Sequence, residues 1–171
     1  RGSQNYRVMT ANGARGLDGG LFVSDGTFIN FDWVGLSTFD LNAIWVYDDT
    51  FMLAVGNTTK RLNGTDPTSR SSSWHDYGVP VEGTAIWGTT PQSIWVAGNI
   101  GTSGRIVFGD GTKDDPWTPQ LTVSFRQFRG LHGVDDQTLV IAQFLQPALD
   151  VGSCVVDGCG VNLCMTAEES C

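Results

Sequence analysis

Short apolar runs, each followed by turn-forming residues, recur along the middle of the chain. Residues 43–46 and 51–57 form one pair of such runs, and residues 85–88 and 94–99 form another. Trp45 aligns with Trp87, an offset of 42 residues (87 − 45). A weaker third copy occupies residues 130–142, with His132 at the tryptophan position. Apolar runs of this length between turns predict buried β-strands, here in neighbouring pairs that repeat.

A second element follows each pair of runs: a strand that leads into an Asp-Gly-Thr or Asn-Gly-Thr turn, and then a tryptophan. Its copies are residues 21–27 with Trp33, residues 61–65 with Trp74, and residues 106–112 with Trp117. Asp-Gly and Asn-Gly supply the positive backbone dihedrals that two-residue hairpin turns require. The repeating unit is therefore four strands.

A four-stranded unit that repeats every 42 to 45 residues (87 − 45 and 132 − 87) is typical of a β-propeller blade. The sequence predicts an all-β propeller of antiparallel blades followed by a small tail. The predicted units are a partial blade 1–40, blades 41–83 and 84–127, a partial blade 128–149, and a Cys-rich acidic tail 150–171. Propellers close with about four to eight blades. We therefore expect the chain, which opens on Arg1 rather than Met, to be part of a larger propeller.

The repeated Ala-Ile-Trp, Ile-Trp-Val-Ala-Gly and Asp-Gly-Thr motifs with a downstream tryptophan resemble those of secreted bacterial β-propeller repeat proteins. They are more loosely similar to Asp-box and kelch propellers, and the resemblance covers about residues 6 to 145. It implies a non-enzymatic extracellular binding or structural module, secreted or at the cell surface. The implied partner is a protein or a neighbouring subunit in an extracellular assembly.

Charge excludes one class of partner. Ten Lys or Arg residues against eighteen Asp or Glu give a net charge of −8, whereas nucleic acid binding needs a basic face. No apolar run approaches the roughly 20 residues that cross a bilayer, so no transmembrane segment is expected. The 22 glycines and six tryptophans agree with many short strands and tight turns.

All four cysteines, Cys154, Cys159, Cys164 and Cys171, lie in the last eighteen residues. An even, clustered set predicts two disulfides and an oxidising compartment. Zinc is the weaker interpretation, because the spacing lacks a Cys-x2-Cys pair. Of the three pairings available, Cys154 with Cys164 and Cys159 with Cys171 is favoured only slightly.

Two tryptophans are candidates for ligand contact. Most tryptophans occupy equivalent repeat positions and are predicted to pack between blades, but Trp33 and Trp74 are the ones to examine for exposure. An exposed indole can stack on a sugar ring, and His75 follows Trp74 directly. A carbohydrate-binding, lectin-like propeller is therefore the first alternative function.

Acidic pairs occupy the turn between the first two strands in two of the repeats. Asp48-Asp49 and Asp135-Asp136 hold equivalent positions and offer the oxygen ligands that calcium prefers. No EF-hand pattern accompanies them, so a solvated turn is the main interpretation. No cofactor or metal is expected, and calcium is only a weak candidate.

A sialidase-like glycoside hydrolase or lyase is the second alternative, because residues 24–28 are similar to part of an Asp box. Such hydrolysis usually requires two carboxylates. Glu82 is the only glutamate outside the tail, so no catalytic residue is assigned.

Overall fold

The computed structural model describes residues 6–11, 20–24, 32–35, 40–62, 64, 66–68, 74–113, 117–124, 126–135, 138–145, 151–157 and 160–161. All regular structure in these ranges is β-strand, and they contain no helix. The fifteen strands form four antiparallel sheets. The predicted all-β class is therefore confirmed.

The strands of each sheet follow one another in chain order. Sheet 1 contains β1 (Arg7–Ala11), β2 (Gly20–Ser24) and β3 (Asp32–Gly35). Sheet 2 contains β4 (Leu41–Val46), β5 (Met52–Gly56), β6 (Thr59–Leu62) and β7 (Trp74–Asp76). Sheet 3 contains β8 (Glu82–Thr90), β9 (Ser93–Ile100), β10 (Ser103–Gly109) and β11 (Thr118–Ser124). Sheet 4 contains β12 (Arg126–Asp135), β13 (Thr138–Leu145), β14 (Val151–Asp157) and β15 (Gly160–Val161).

The central strands are apolar on both faces because both faces are covered. In β9, Ile94 and Val96 pack towards sheet 2, whereas Ala97 packs towards sheet 4. The reversal from β9 to β10 needs Gly101, whose φ of 55° lies in the left-handed region that side chains with a Cβ rarely adopt. The apolar runs therefore lie where the sequence predicts strands, but the positive φ expected in the Asp-Gly-Thr turn is not found at Gly111 and occurs instead at Gly101.

Three separate cores lie between consecutive sheets. Each is composed of side chains from the two sheets that it joins: sheets 1 and 2, sheets 2 and 3, and sheets 3 and 4. Trp45 and Leu53 of sheet 2 meet Val96 of sheet 3, and Ile106 of sheet 3 meets Phe128 of sheet 4. The sheets therefore stack face to face in the order of the chain.

The first strands of sheets 2, 3 and 4 also pack directly against one another. The Asn42 side-chain amide donates to the carbonyl oxygen of Gly83 at 2.9 Å, and the Thr84 hydroxyl donates to that of Phe128 at 2.6 Å. Asn42 and Thr84 are 42 residues apart (84 − 42) and so hold the same repeat position. One hydrogen bond is thus repeated between successive first strands.

The segment expected to be a separate tail begins as part of sheet 4. Strand β14 pairs with β13, with Cys154 opposite Ile141 in the register, and β15 pairs with β14. The predicted boundary between residues 149 and 150 therefore falls inside a sheet. The physical reason is that residues 151–156 include three valines, and β-branched residues favour a strand. Residues 162–171 lie outside the described part of the chain.

Candidate functional site

The turns between the first and second strands of sheets 2, 3 and 4 lie at one end of the stack. The first strands run in the same direction, because Thr84 meets Phe128 and, further along both strands, Trp87 packs on Gly133. Their carboxyl ends therefore meet on one side of the molecule. We call this side the acidic turn edge and define it by residues 47–51, 90–93 and 110–113 together with Asp135.

Asp48 closes its own turn. Its Oδ1 accepts hydrogen bonds from Thr50 N at 2.7 Å, from Thr50 Oγ1 at 2.8 Å and from Phe51 N at 2.8 Å. Partial burial opposes ionisation, but the hydrogen bonds from Thr50 and Phe51 outweigh it and hold the pKa of Asp48 below its ordinary value. The carboxylate is thus ionised and has a structural role in the turn.

Asp110 repeats this arrangement in the turn after β10. Its Oδ1 accepts from Thr112 N at 3.0 Å and from Thr112 Oγ1 at 2.6 Å, while Lys113 Nζ lies 3.0 Å from its Oδ2. The Thr112 hydroxyl is the main cause of the lowered pKa of Asp110, burial opposes it, and Lys113 adds to it. Because Gly111 N donates to Pro91 O at 2.8 Å, this turn packs on the β8–β9 turn and belongs to the same edge.

An aromatic group supports the edge at sheet 2. The Tyr47 and Phe51 rings lie 5.8 Å and 6.0 Å from the Trp45 ring, measured between centroids. Trp45 is buried and Tyr47 is half exposed. The Tyr47 ring is therefore exposed to solvent on one side and packs against the buried Trp45 ring on the other.

Of the other acidic residues predicted as candidate ligands, two lie on the acidic turn edge and one lies outside the described residues. Asp49 is partly exposed beside Asp48, Asp135 is exposed at the end of β12, and Asp136 lies outside the described residues. Within the described ranges, no group of three or more His, Cys, Asp or Glu side chains could hold a metal ion. The structure therefore gathers carboxylates on one edge but assembles no metal centre among the residues that it describes.

Trp74 does not lie where a stacking ring would be needed. It is buried in the core between sheets 1 and 2, and its Nε1 donates to the carbonyl oxygen of Pro67 at 3.0 Å. Trp74 is therefore not available for stacking on a ligand, because its ring closes the outer part of sheet 2 against sheet 1. His75 is exposed on the same strand, opposite Arg61 in the register. Trp33 lies opposite Phe22 in β3, and its side chain is outside the described part.

Glu82 is remote from the acidic turn edge. It is exposed at the first residue of β8, whereas the turns lie at the carboxyl end of that strand. The structure does not bring it together with Asp48 or Asp110. Among the cysteines, Cys154 lies in β14, and Cys159, Cys164 and Cys171 are outside the described residues.

A contact between sheets 2 and 3 was not predicted. Arg61 Nη1 donates to Gly111 O at 2.9 Å, and its Cζ lies 4.5 Å from the centroid of the Tyr77 ring. The Tyr77 hydroxyl donates to the Asp110 carbonyl at 3.0 Å, and the Lys113 carbonyl also lies close to it. The sequence offered no signal, because the repeat places Phe108 where Arg61 stands. These contacts fix the Asp110 turn on the outer strands of sheet 2.

Comparison of the chain with protein-family models, curated proteins and solved structures gives no match. No helix long and apolar enough to cross a membrane occurs in the ranges that the structure describes. Function must therefore be argued from the repeat and from the surface that it leaves exposed.

Proposed function

We propose that the four sheets are blades of a β-propeller and that the chain is a non-enzymatic extracellular binding or structural module. Two observations support the propeller arrangement. Each sheet is a meander in chain order, and the first strands pack on one another in sequence while running in the same direction. Strands arranged in this way belong nearest the axis of a propeller, with the last strands at its rim.

The observation that carries the function is the separation of repeated and unrepeated residues. The repeated apolar positions are buried between sheets, Trp45 and Trp87 among them, so they serve the scaffold. On the acidic turn edge the repeat is incomplete: Tyr47 has no aromatic counterpart in the other two copies, and the acidic pairs at residues 48–49 and 135–136 have none in the middle copy. Residues that differ between repeats on a rigid frame are the ones available for recognition.

The chemistry of the acidic turn edge favours a protein partner or a neighbouring subunit with basic and apolar groups. The chain carries a net charge of −8, to which the ionised carboxylates of Asp48 and Asp110 on the edge contribute. Complementary charge speeds encounter and selects the partner, while an aromatic ring such as Tyr47 supplies contact area.

Selection from a displayed peptide library tests this proposal. The immobilised chain should enrich peptides that combine Lys or Arg with apolar residues, and Tyr47→Ala should weaken their binding by at least tenfold. Ile100→Ala is the matched control, because Ile100 is an exposed apolar residue at the other end of sheet 3. Peptides that lack a charge bias, or binding that Tyr47→Ala does not alter, would contradict the proposal.

A carbohydrate-binding propeller is the second candidate, and the half-exposed Tyr47 ring beside carboxylates favours it. A sugar stacks its apolar face on such a ring and gives its hydroxyl protons to carboxylates. Glycan-array binding that Tyr47→Ala abolishes and Ile100→Ala retains would support a lectin. Turnover of a glycan that is lost in Glu82→Gln would instead support a hydrolase or lyase.

A further inference from the structure

We propose that the two end faces of the four-sheet stack are complementary halves of one interface, and that a second copy of this chain joins them head to tail. Sheet 4 of one copy then packs on sheet 1 of the other. Only one part of this inference rests on the proposed blade arrangement: the closure of two copies into a ring. The match between the two faces is read from the repeat itself.

The outer face of sheet 4 exposes positions that the preceding sheets bury. The register pairs Trp45 with Leu53 in sheet 2, Trp87 with Trp95 in sheet 3 and His132 with Val140 in sheet 4. Trp45 and Trp87 are 2% and 6% exposed because the next sheet covers them. His132 is exposed and Val140 is 37% exposed, and the neighbouring Val134 is 77% exposed.

The outer face of sheet 1 shows the opposite half of the same contact. Met9 pairs with Phe22 in sheet 1, and Val96 pairs with Val107 in sheet 3. Phe22 and Val107 each lie three residues before the Asp of the Asp-Gly-Thr turn, so the two pairs are equivalent. Val96 and Val107 are 0% exposed against sheet 2, whereas Met9 is 48% and Phe22 is 36% exposed.

The core between sheets 2 and 3 shows how the two halves fit. There the half that holds Trp45 and Leu53 packs on the half that holds Val96 and Val107. The outer face of sheet 4 exposes the counterparts of Trp45 and Leu53, and the outer face of sheet 1 exposes the counterparts of Val96 and Val107. Unlike halves pair head to tail, so the fitting occupant of each face is the other end of the same stack.

The two ends do not cover each other within one copy, since Met9 and Val134 remain 48% and 77% exposed. Two copies joined at both ends give eight sheets (4 + 4), which lies within the roughly four to eight that closed propellers contain. A ring of two equivalent copies also has the closed two-fold symmetry that most soluble oligomers adopt.

Sedimentation equilibrium at micromolar concentration tests the proposal. The chain should have twice its own mass, and Met9→Lys and Val140→Lys should each shift it to the monomer, because each places a charge in both interfaces of the ring. Both side chains are exposed in one copy, so circular dichroism and the unfolding midpoint should not change. Ile100→Lys, an exposed apolar position on neither end face, should remain dimeric.

Mixing the two variants separates head-to-tail packing from packing between like faces. In a one-to-one mixture, sheet 4 of the Met9→Lys chain can pack on sheet 1 of the Val140→Lys chain, and this interface contains neither lysine. The mixture should therefore form a dimer with one chain of each variant. A monomeric wild-type chain would overturn the proposal and leave the faces to a further sheet of this repeat. A dimer broken by only one of the variants would overturn it in favour of like-face packing. Neither result bears on how the sheets lie within one copy.

Discussion

The carboxylates of Asp48 and Asp110 are held by hydrogen bonds within their own turns. Each Oδ1 accepts from the backbone and the hydroxyl of a threonine two residues later, Thr50 and Thr112 respectively. Asp66 and Thr68 repeat the pattern with a hydroxyl contact of 2.5 Å. An Asp at such a position satisfies turn donors that would otherwise need water.

The turn carboxylates give stability a defined pH dependence. Their pKa values are lowered in the folded chain, so the folded state binds fewer protons than the unfolded one near the unfolded value of about 3.9. The contribution of these carboxylates to the free energy of unfolding is fully present above the unfolded pKa. It is lost as the pH falls through the lower pKa of the folded chain. The double variant Asp48→Asn with Asp110→Asn keeps the Oδ1 acceptors of the two turns but removes the titration, and with it the Asp110 Oδ2 that lies 3.0 Å from Lys113 Nζ.

Urea unfolding followed by tryptophan fluorescence at pH 7, 4 and 3 measures this dependence. The wild-type chain should lose more stability between pH 4 and pH 3 than the double variant. Asp49→Asn is the control, because it changes the adjacent carboxylate and keeps the Asp48 side chain that accepts from Thr50 and Phe51. Identical slopes in the wild type and the double variant would contradict a role for these turns.

Gly133 is required by the close approach of sheets 3 and 4. A Cβ at this position would lie 2.5 Å from Cζ3 of the buried Trp87 ring. Gly133→Ala should therefore destabilise the chain by about 1–3 kcal/mol, the usual cost of overpacking. Gly78→Ala is the matched control, since a Cβ there would meet nothing within 4 Å. Chemical denaturation measures both, and equal stability of the two variants would show that sheet 4 does not pack on Trp87.

At the scale of elements, the strands could be predicted where apolar residues repeat between glycine turns. Sheets 2, 3 and 4 begin at Leu41, Glu82 and Arg126, close to the blade starts predicted at residues 41, 84 and 128. Sheet 1 holds three strands among the described residues. Hydrophobic periodicity reports burial, and burial is what these strands have in common.

Other features could not be predicted because their sequence patterns are weak or are common to several kinds of structure. Strand β14 has its β-branched residues within the cysteine-rich segment expected to form a separate tail. Asn42 and Thr84 are polar and chemically different, so nothing in the sequence showed that both bridge successive first strands. Trp74 is buried against sheet 1 and its Nε1 donates to the carbonyl oxygen of Pro67, a pairing that no local sequence pattern indicates.

The cysteines provide a test of the proposed extracellular location. Two disulfides among Cys154, Cys159, Cys164 and Cys171 would each stabilise the chain by about 2–4 kcal/mol. Intact-mass measurement should therefore find no alkylated thiol until a reductant is added, and four alkylated thiols afterwards. Four thiols that react without a reductant would contradict both the disulfides and the proposed location.

At the scale of the whole molecule, three cores in series carry the architecture. Each joins only neighbouring sheets, so each sheet depends on the next for the burial of its apolar face. Repeat proteins gain stability from such nearest-neighbour contacts. On the last strands of sheets 2 and 3, the polar residues His75 of β7 and Gln120 of β11 are exposed.

The divergence of neighbouring sheets tests the propeller arrangement most directly. Spin labels on p-acetylphenylalanine, which avoids the native cysteines, can be placed at Tyr47 and Thr90 on the first strands or at His75 and Gln120 on the last strands. Labelled chains diluted in unlabelled ones report distances within one copy by electron paramagnetic resonance. The propeller arrangement predicts strong dipolar broadening for the inner pair and a resolved, clearly longer distance for the outer pair. Equal separations near the roughly 10 Å of flatly stacked sheets would contradict it.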